Sequence, residues 1–217
     1  MGKLYEDSHI EINGLVAKHY SRILNLITLG RYKRIIKRFV DDMNIVPEDR
    51  IIDFGAGSGY NECFMIKYLS LKGRIVGLDI GEDMIKKFKK VCKKYPNVKI
   101  YKKRIDIPLN FENKYDKALI SFVLHGLPHK NRIQVLKNAN RALKKNKRLY
   151  IFDYAKFNLE KLPFYIKIPF KMIECKYAFE YIEKDWKKII KDTGFKFVRK
   201  KYYYKNIVSM MIFEKYS

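Results

Sequence analysis

Ile51-Ile52-Asp53-Phe54-Gly55-Ala56-Gly57-Ser58-Gly59 decides the fold of this chain. Two branched apolar residues open it, an acid follows, and three glycines alternate with small residues before a helical pattern resumes. It reads as strand, glycine turn and helix. Such a turn lets backbone N–H groups approach a ligand that a side chain would block. Working outward, Arg74-Ile75-Val76-Gly77-Leu78-Asp79 reads as a second strand ending in an acid. If a ligand sits on the glycines, an acid at that tip lies where an adenosine ribose would rest.

The pattern continues in both directions. Residues 82–95 form an amphipathic helix, with Met84, Ile85, Phe88, Val91, Cys92 and Tyr95 on one face and six lysines on the other. Residues 98–103 alternate like a third strand. Tyr115 to Leu124 is almost continuously apolar, as a strand covered on both faces should be. Pro128 and His129 open a helix that runs to about Leu143, and Arg148 to Asp153 forms strand five. Upstream, 15–29 and 31–43 carry helical stripes. Downstream, 181–193 reads as a helix stopped by Gly194, and 195–204 and 207–214 as strands joined at Lys205-Asn206. Strand and helix alternate and end in a hairpin, which predicts a mostly parallel α/β sheet with one antiparallel strand.

The 217 residues suffice for one α/β domain with a small cap. Cys63, Cys92 and Cys175 form no CxxC pair, so no metal site or disulfide framework is expected. Their usage points to a reducing compartment, hence a cytoplasmic location. Glu6 and Asp7 argue against a signal peptide. No apolar run approaches the ~20 residues that span a bilayer. The net charge is +24, with most of the excess between residues 51 and 150. Such a field attracts RNA, anionic lipid headgroups or an acidic substrate. The spacing of lysines in 82–95 also suits an ordinary solvated helix face, which is the favoured reading there.

The pattern Asp53-x-Gly55-x-Gly57-x-Gly59, followed by Asp79, resembles the cofactor motifs of class I methyltransferases, which use S-adenosylmethionine. The resemblance covers about residues 50–153. It implies a Rossmann-like, seven-stranded sheet with helices on both faces, a C-terminal antiparallel hairpin strand and an N-terminal helical lid. It also implies a division into a lid, 1–45, and a methyltransferase domain, 46–217, with 154–180 as an insertion. By resemblance, Gly55, Ala56, Gly57 and Gly59 form the turn against the methionine part of the cofactor, and Asp53 lies beside its amino group. Asp79 accepts from the ribose hydroxyls, a task suited to a carboxylate because charge-assisted bonds are strong. Ile80 and Met84 pack on adenine, Asp106 and Ile107 read its edge, and Ser121 to His125 flank the transferable methyl. Asp106 also reads as a plain cap, and Met84 as a core residue. A nicotinamide-binding fold is the competitor, but its fingerprint is GxGxxG, whereas this chain has GxGxG.

The N-terminal Ile12-Asn13-Gly14-Leu15-Val16-Ala17-Lys18-His19-Tyr20-Ser21-Arg22 resembles the methyltransferases of ubiquinone and menaquinone synthesis and the phosphatidylethanolamine N-methyltransferases. In that subgroup the tyrosine matched by Tyr20 is a lid on the cofactor. The aromatic segment 154–180 follows strand five at the ligand-binding edge of the sheet, so it is expected to cap an acceptor pocket. Its rings suit a flat or greasy acceptor, small-molecule or lipid-like and of quinone type, and its lysines suit an anionic membrane surface. Where the acceptor must lose a proton, His125, Tyr20 and Asp153-Tyr154 are the candidate bases. An RNA or protein methyltransferase, and a non-catalytic cofactor-binding interaction protein, are the alternatives. Lys145-Asn146-Lys147 stands where a Pro-Gly-Gly turn is usual, and residues 154–217 match only in pattern. The acceptor atom and the oligomeric state stay open.

Overall fold

The computed structural model describes residues 28–216, together with Ser8 and Asn25. Among the elements described, helix α1 (Tyr32–Asp42) is followed by strand β1 (Arg50–Phe54), the short helix α2 (Glu62–Met65) and strand β2 (Arg74–Asp79). Helix α3 (Glu82–Cys92), β3 (Val98–Lys102), β4 (Tyr115–Ser121), α4 (His129–Ala142) and β5 (Leu143–Tyr154) follow. The remainder is α5 (Phe164–Ile173), α6 (Lys176–Glu183), α7 (Trp186–Lys191), β6 (Phe195–Tyr203) and β7 (Val208–Lys215). The sheet order is β3-β2-β1-β4-β5-β7-β6. Every pairing is parallel except those of β7, which runs antiparallel to β5 and to β6.

Neighbouring residues on the central strands serve opposite cores, because side chains alternate across a sheet. Ile52, Ile120 and Ile151 face one layer with Val135 and Leu136 of α4. Ile51, Leu119, Tyr150 and Phe152 face the other with Phe39 of α1 and Met65 of α2. This double covering explains the near-continuous apolar runs. Helix α1 is built into the second layer. It buries Ile36, Phe39 and Val40, and Phe39 stacks on Phe152 at 4.3 Å. The Tyr150 hydroxyl donates to the Met43 carbonyl just past its end, at 2.8 Å.

The chain departs from the sequence expectations in four places. Strand β4 stops at Ser121, where Phe122 turns into the left-handed region at φ +53°. Strand β5 starts earlier than expected, at Leu143, with a register irregularity opposite Tyr115 and Lys117 and with Asn146 at φ +59°. The expected helix over 181–193 is two helices. Lys184 is extended, and the Asp185 carboxylate caps a new helix by accepting from the N–H groups of Lys187 and Lys188. Val91 is exposed rather than part of the buried stripe of α3, which consists of Met84, Ile85, Phe88 and Cys92.

The strand order reverses between β1 and β4. In open α/β sheets this crevice, outside the carboxyl ends of the strands, is where ligands bind.

Candidate active site

The glycine turn after β1 lines a cavity that includes and opens onto about 950 Å³ of free space. Its fold is locally determined. The N–H groups of Gly55 and Ala56 donate to the Leu78 carbonyl at 2.8 and 3.0 Å, tying the turn to β2. Gly55 has φ +96°, and a Cβ there would come within 2.4 Å of the Val123 side chain. Gly57 has φ +56°, with nothing within 4 Å of the place a Cβ would occupy, so its backbone fronts open space. Gly59 serves the core instead: a Cβ there would press on Cys92 and Phe88 at 3.1 Å.

Asp79 stands across the turn. Its Oδ2 accepts from the Gly57 N–H and its Oδ1 from the Gly81 N–H, both at 2.8 Å. Burial raises its pKa, and the N–H groups of Gly81, Gly57 and Ile80 pull the other way. Each carboxylate oxygen retains a lone pair for a ligand hydroxyl. Ile80, Met84, Ser121 and Ala56 line the same cavity. The open front of Gly57 and the carboxylate at the β2 tip fit an adenosine ribose and its 5′ substituent.

Other expected residues are arranged differently. Asp106 lines the cavity, but its carboxylate is bound by Arg104 at 2.9 and 3.1 Å and by Asn131 at 2.7 Å. Ile107 is 42% exposed and off the cavity wall, which Ile105 supplies instead. Asp53 points into the protein, fully buried, toward the equally buried Glu62. Burial pushes both carboxyls up, Asp53 to about 7, and ionisation of either resists ionisation of the other. Tyr20 lies outside the described residues, as does most of the segment 1–45 expected to form a lid. Within the described part of it, Tyr32 reaches the cavity and stacks on Tyr60 at 5.3 Å.

His125 sits on the 3₁₀ turn Leu124–Gly126 after β4, behind Phe122 rather than on the cavity wall. Its Nδ1 is 2.7 Å from Oδ1 of Asp153, at the end of β5 and 1% exposed. Its Nε2 faces Glu174 at 3.5 Å. The Tyr154 hydroxyl donates to the other Glu174 oxygen at 2.6 Å. Burial alone would lower the His125 pKa, but Asp153 and Glu174 outweigh it and raise the imidazole to about 9. Arg132, wholly buried, holds the turn. Its guanidinium donates to the carbonyls of Leu124 at 2.8 Å, His125 at 3.3 Å and Tyr177 at 2.6 Å. Phe122, Tyr154, Phe157, Phe170 and Phe179 form a connected set of ring contacts beside the histidine.

A family model described as a methyltransferase domain matches residues 45–207. The chain belongs to the methyltransferase-domain family. Its cofactor is S-adenosylmethionine. Among curated proteins, demethylmenaquinone methyltransferase of Staphylococcus aureus is 28% identical over 130 residues, 59% of this chain and 53% of the relative. The aligned part is thus about half the length of that relative. A solved SAM-dependent methyltransferase from Aquifex aeolicus superposes with a TM-score of 0.65 at 20% identity, covering 90% of this chain and 97% of the other. A putative methyltransferase of Haloferax volcanii, solved with the Trm112 activator, gives 0.70 at 13% identity, covering 95% and 100%. Both structures show the shared fold.

Several residues of this methyltransferase domain's site escape sequence reasoning. Tyr32, Tyr60 and Lys103 line the cavity in front of the glycine turn. Tyr60 carries a signal, since it directly follows the glycine turn. Glu174 carries a weaker one, as an acid in a basic, aromatic stretch. Phe122 falls within the Ser121–His125 segment read from the sequence, but its left-handed backbone, unusual for a bulky residue, becomes visible only in the fold. Among the described residues, no cluster of His, Cys, Asp and Glu has the makeup of a metal site.

Proposed function

We propose that this protein transfers a methyl group to a flat, largely apolar small molecule or lipid-like compound, with a quinol-type ring the best match. The observation that carries the reading is the His125–Asp153 pair, set among aromatic rings next to the Asp79 cavity. The demethylmenaquinone relative supports the acceptor class. Bound S-adenosylmethionine supplies an electrophilic methyl on a positively charged sulfur.

The protein's own residues do the rest. Asp79 and the Gly57 backbone fix the donor, and the ring wall fixes the acceptor, so alignment supplies much of the acceleration. Asp153 holds the Nδ1 proton of His125 and leaves Nε2 to meet the acceptor. As the new bond to methyl forms, the acceptor hydroxyl or ring carbon loses a proton, and Nε2 takes it after His125 has itself deprotonated. In this reading Glu174, with Tyr154, keeps the ring oriented while the acceptor is absent. Tyr20 is a candidate lid over the donor, with Asp106 near the adenine edge. We place the reaction in the cytoplasm, where Cys63, Cys92 and Cys175 stay free thiols.

The test is transfer of labelled methyl from S-adenosylmethionine to cell extract sorted into lipid, small-molecule, RNA and protein pools. Label is expected in the lipid or small-molecule pool. Asp79→Asn should weaken cofactor binding by calorimetry about 10- to 100-fold, since a charge-assisted bond contributes about 1.5–3 kcal/mol. Label confined to RNA or protein overturns the acceptor class. Cofactor binding without transfer to any pool favours a non-catalytic role.

A further inference from the structure

Helix α5 is built with its polarity reversed. Helical spacing puts Phe164, Ile168 and Met172 on one face, with Tyr165 beside them. That face points to solvent: Phe164 is 73% exposed, Ile168 52%, Met172 77% and Tyr165 47%. Phe170, 7% exposed, points the other way and packs on Tyr154, Phe157 and Phe179 at 5.1, 5.6 and 5.5 Å. An ordinary surface helix shows water its charged side. Here the chain turns four large apolar side chains outward on three turns of helix. Scattered exposed apolar residues need no explanation, but an aligned row does.

The surroundings are basic. Residues 156–176 hold five lysines and two glutamates. Glu160 is taken up by Lys167 and Lys171, and Glu174 faces inward to His125 and Tyr154. Lys156 and Lys161 are exposed beside the helix. Lys205, from the β6–β7 connection, lies over the Tyr165 ring at 4.7 Å. An apolar row rimmed by lysines is complementary to an anionic bilayer surface. The apolar side chains enter the acyl boundary and the ammonium groups meet the headgroups. A ten-residue helix face offers far less than the ~800 Å² per partner of a stable protein interface, which disfavours a second copy as its occupant.

We infer that α5 is a membrane-docking helix that seats the aromatic cluster beside His125 on an anionic lipid surface. The inference deepens the lipid-like-acceptor reading and rests on it. The underside of α5 contributes the ring of Phe170 to the wall beside Tyr154, whose own ring lies 4.9 Å from that of His125.

The experiment is vesicle flotation of the full chain, with phosphatidylcholine alone or with about one-third phosphatidylglycerol. The protein is expected to float with the anionic vesicles, and less so as salt is raised. The double variant Phe164→Glu, Met172→Glu should bind at least about tenfold more weakly, because it removes two inserted side chains and adds repulsion. Both positions are solvent-exposed, so the variant's affinity for S-adenosylmethionine should match the parent's and verify its fold. Failure of the parent to float, or equal flotation of the variant, overturns the inference. So does a parental dimer in sedimentation that the variant dissociates, which would assign the row to a second copy. Flotation is read without turnover. Docking without methylation of any lipid or small molecule therefore leaves the helix assignment standing and sinks only the acceptor reading.

Discussion

At the scale of the residue, His125 shows how surroundings set chemistry. A free imidazole is mostly neutral at pH 7.5, but Asp153 and Glu174 raise this one to about 9, so it carries a proton there. A base must first lose that proton, so turnover is expected to rise with pH through about 9. Glu174→Gln removes one of the two carboxylates and should move that limb to lower pH by about one unit. A limb that stays put in the pH–rate profile assigns the titration to another group. The pair was only partly legible beforehand. His125 and Asp153 each stood out at the end of a strand, but they are 28 residues apart, and their pairing arises from the parallel alignment of β4 and β5.

The element that governs the cavity is the strand–turn–helix around Gly55 and Gly57. Both glycines have left-handed backbones, yet they fail differently when substituted. Gly55→Ala adds a methyl 2.4 Å from Val123 in the core. It should destabilise the fold by about 2–4 kcal/mol, combining backbone strain with overpacking. Gly57→Ala meets no protein atom, so it should cost about 1–2 kcal/mol for the backbone alone. Its methyl would project into the open space before the turn, so with the donor bound there as proposed, calorimetry should show a large loss of S-adenosylmethionine affinity in a folded protein. Equal melting temperatures for the two variants would contradict this division. The motif was legible because glycine spacing, flanking strand and following acid are local features. That Gly59 serves packing was not, since Cys92 and Phe88 reach it from α3.

The whole molecule carries a pH liability beneath the glycine turn. Asp53 and Glu62 are fully buried together, and both hold protons more tightly when folded than when unfolded. A carboxyl raised in this way stabilises the fold at low pH. Stability then falls as pH rises from the ordinary carboxylate range, about 4, to about 7. Glu62→Gln removes one ionisation and offers its amide to Asp53. The variant should be more stable than the parent by about 1–3 kcal/mol at pH 8 and nearly equal to it at pH 5. Thermal melts at the two pH values check this, and an equal offset at both would mean the pair does not titrate.

Periodicity and glycine spacing by themselves determined the mostly parallel sheet and its glycine turn, because each depends on residues near one another in the chain; the strand order, with its reversal between β1 and β4, was decided by the packed sheet. The exposed side of α5, the burial of Asp53 against Glu62 and the meeting of His125 with Asp153 and Glu174 were decided only by the tertiary structure. A helical pattern names the faces of a helix but not which one the core will cover. A carboxyl's charge, likewise, depends on how much water and which partners the packed fold leaves beside it.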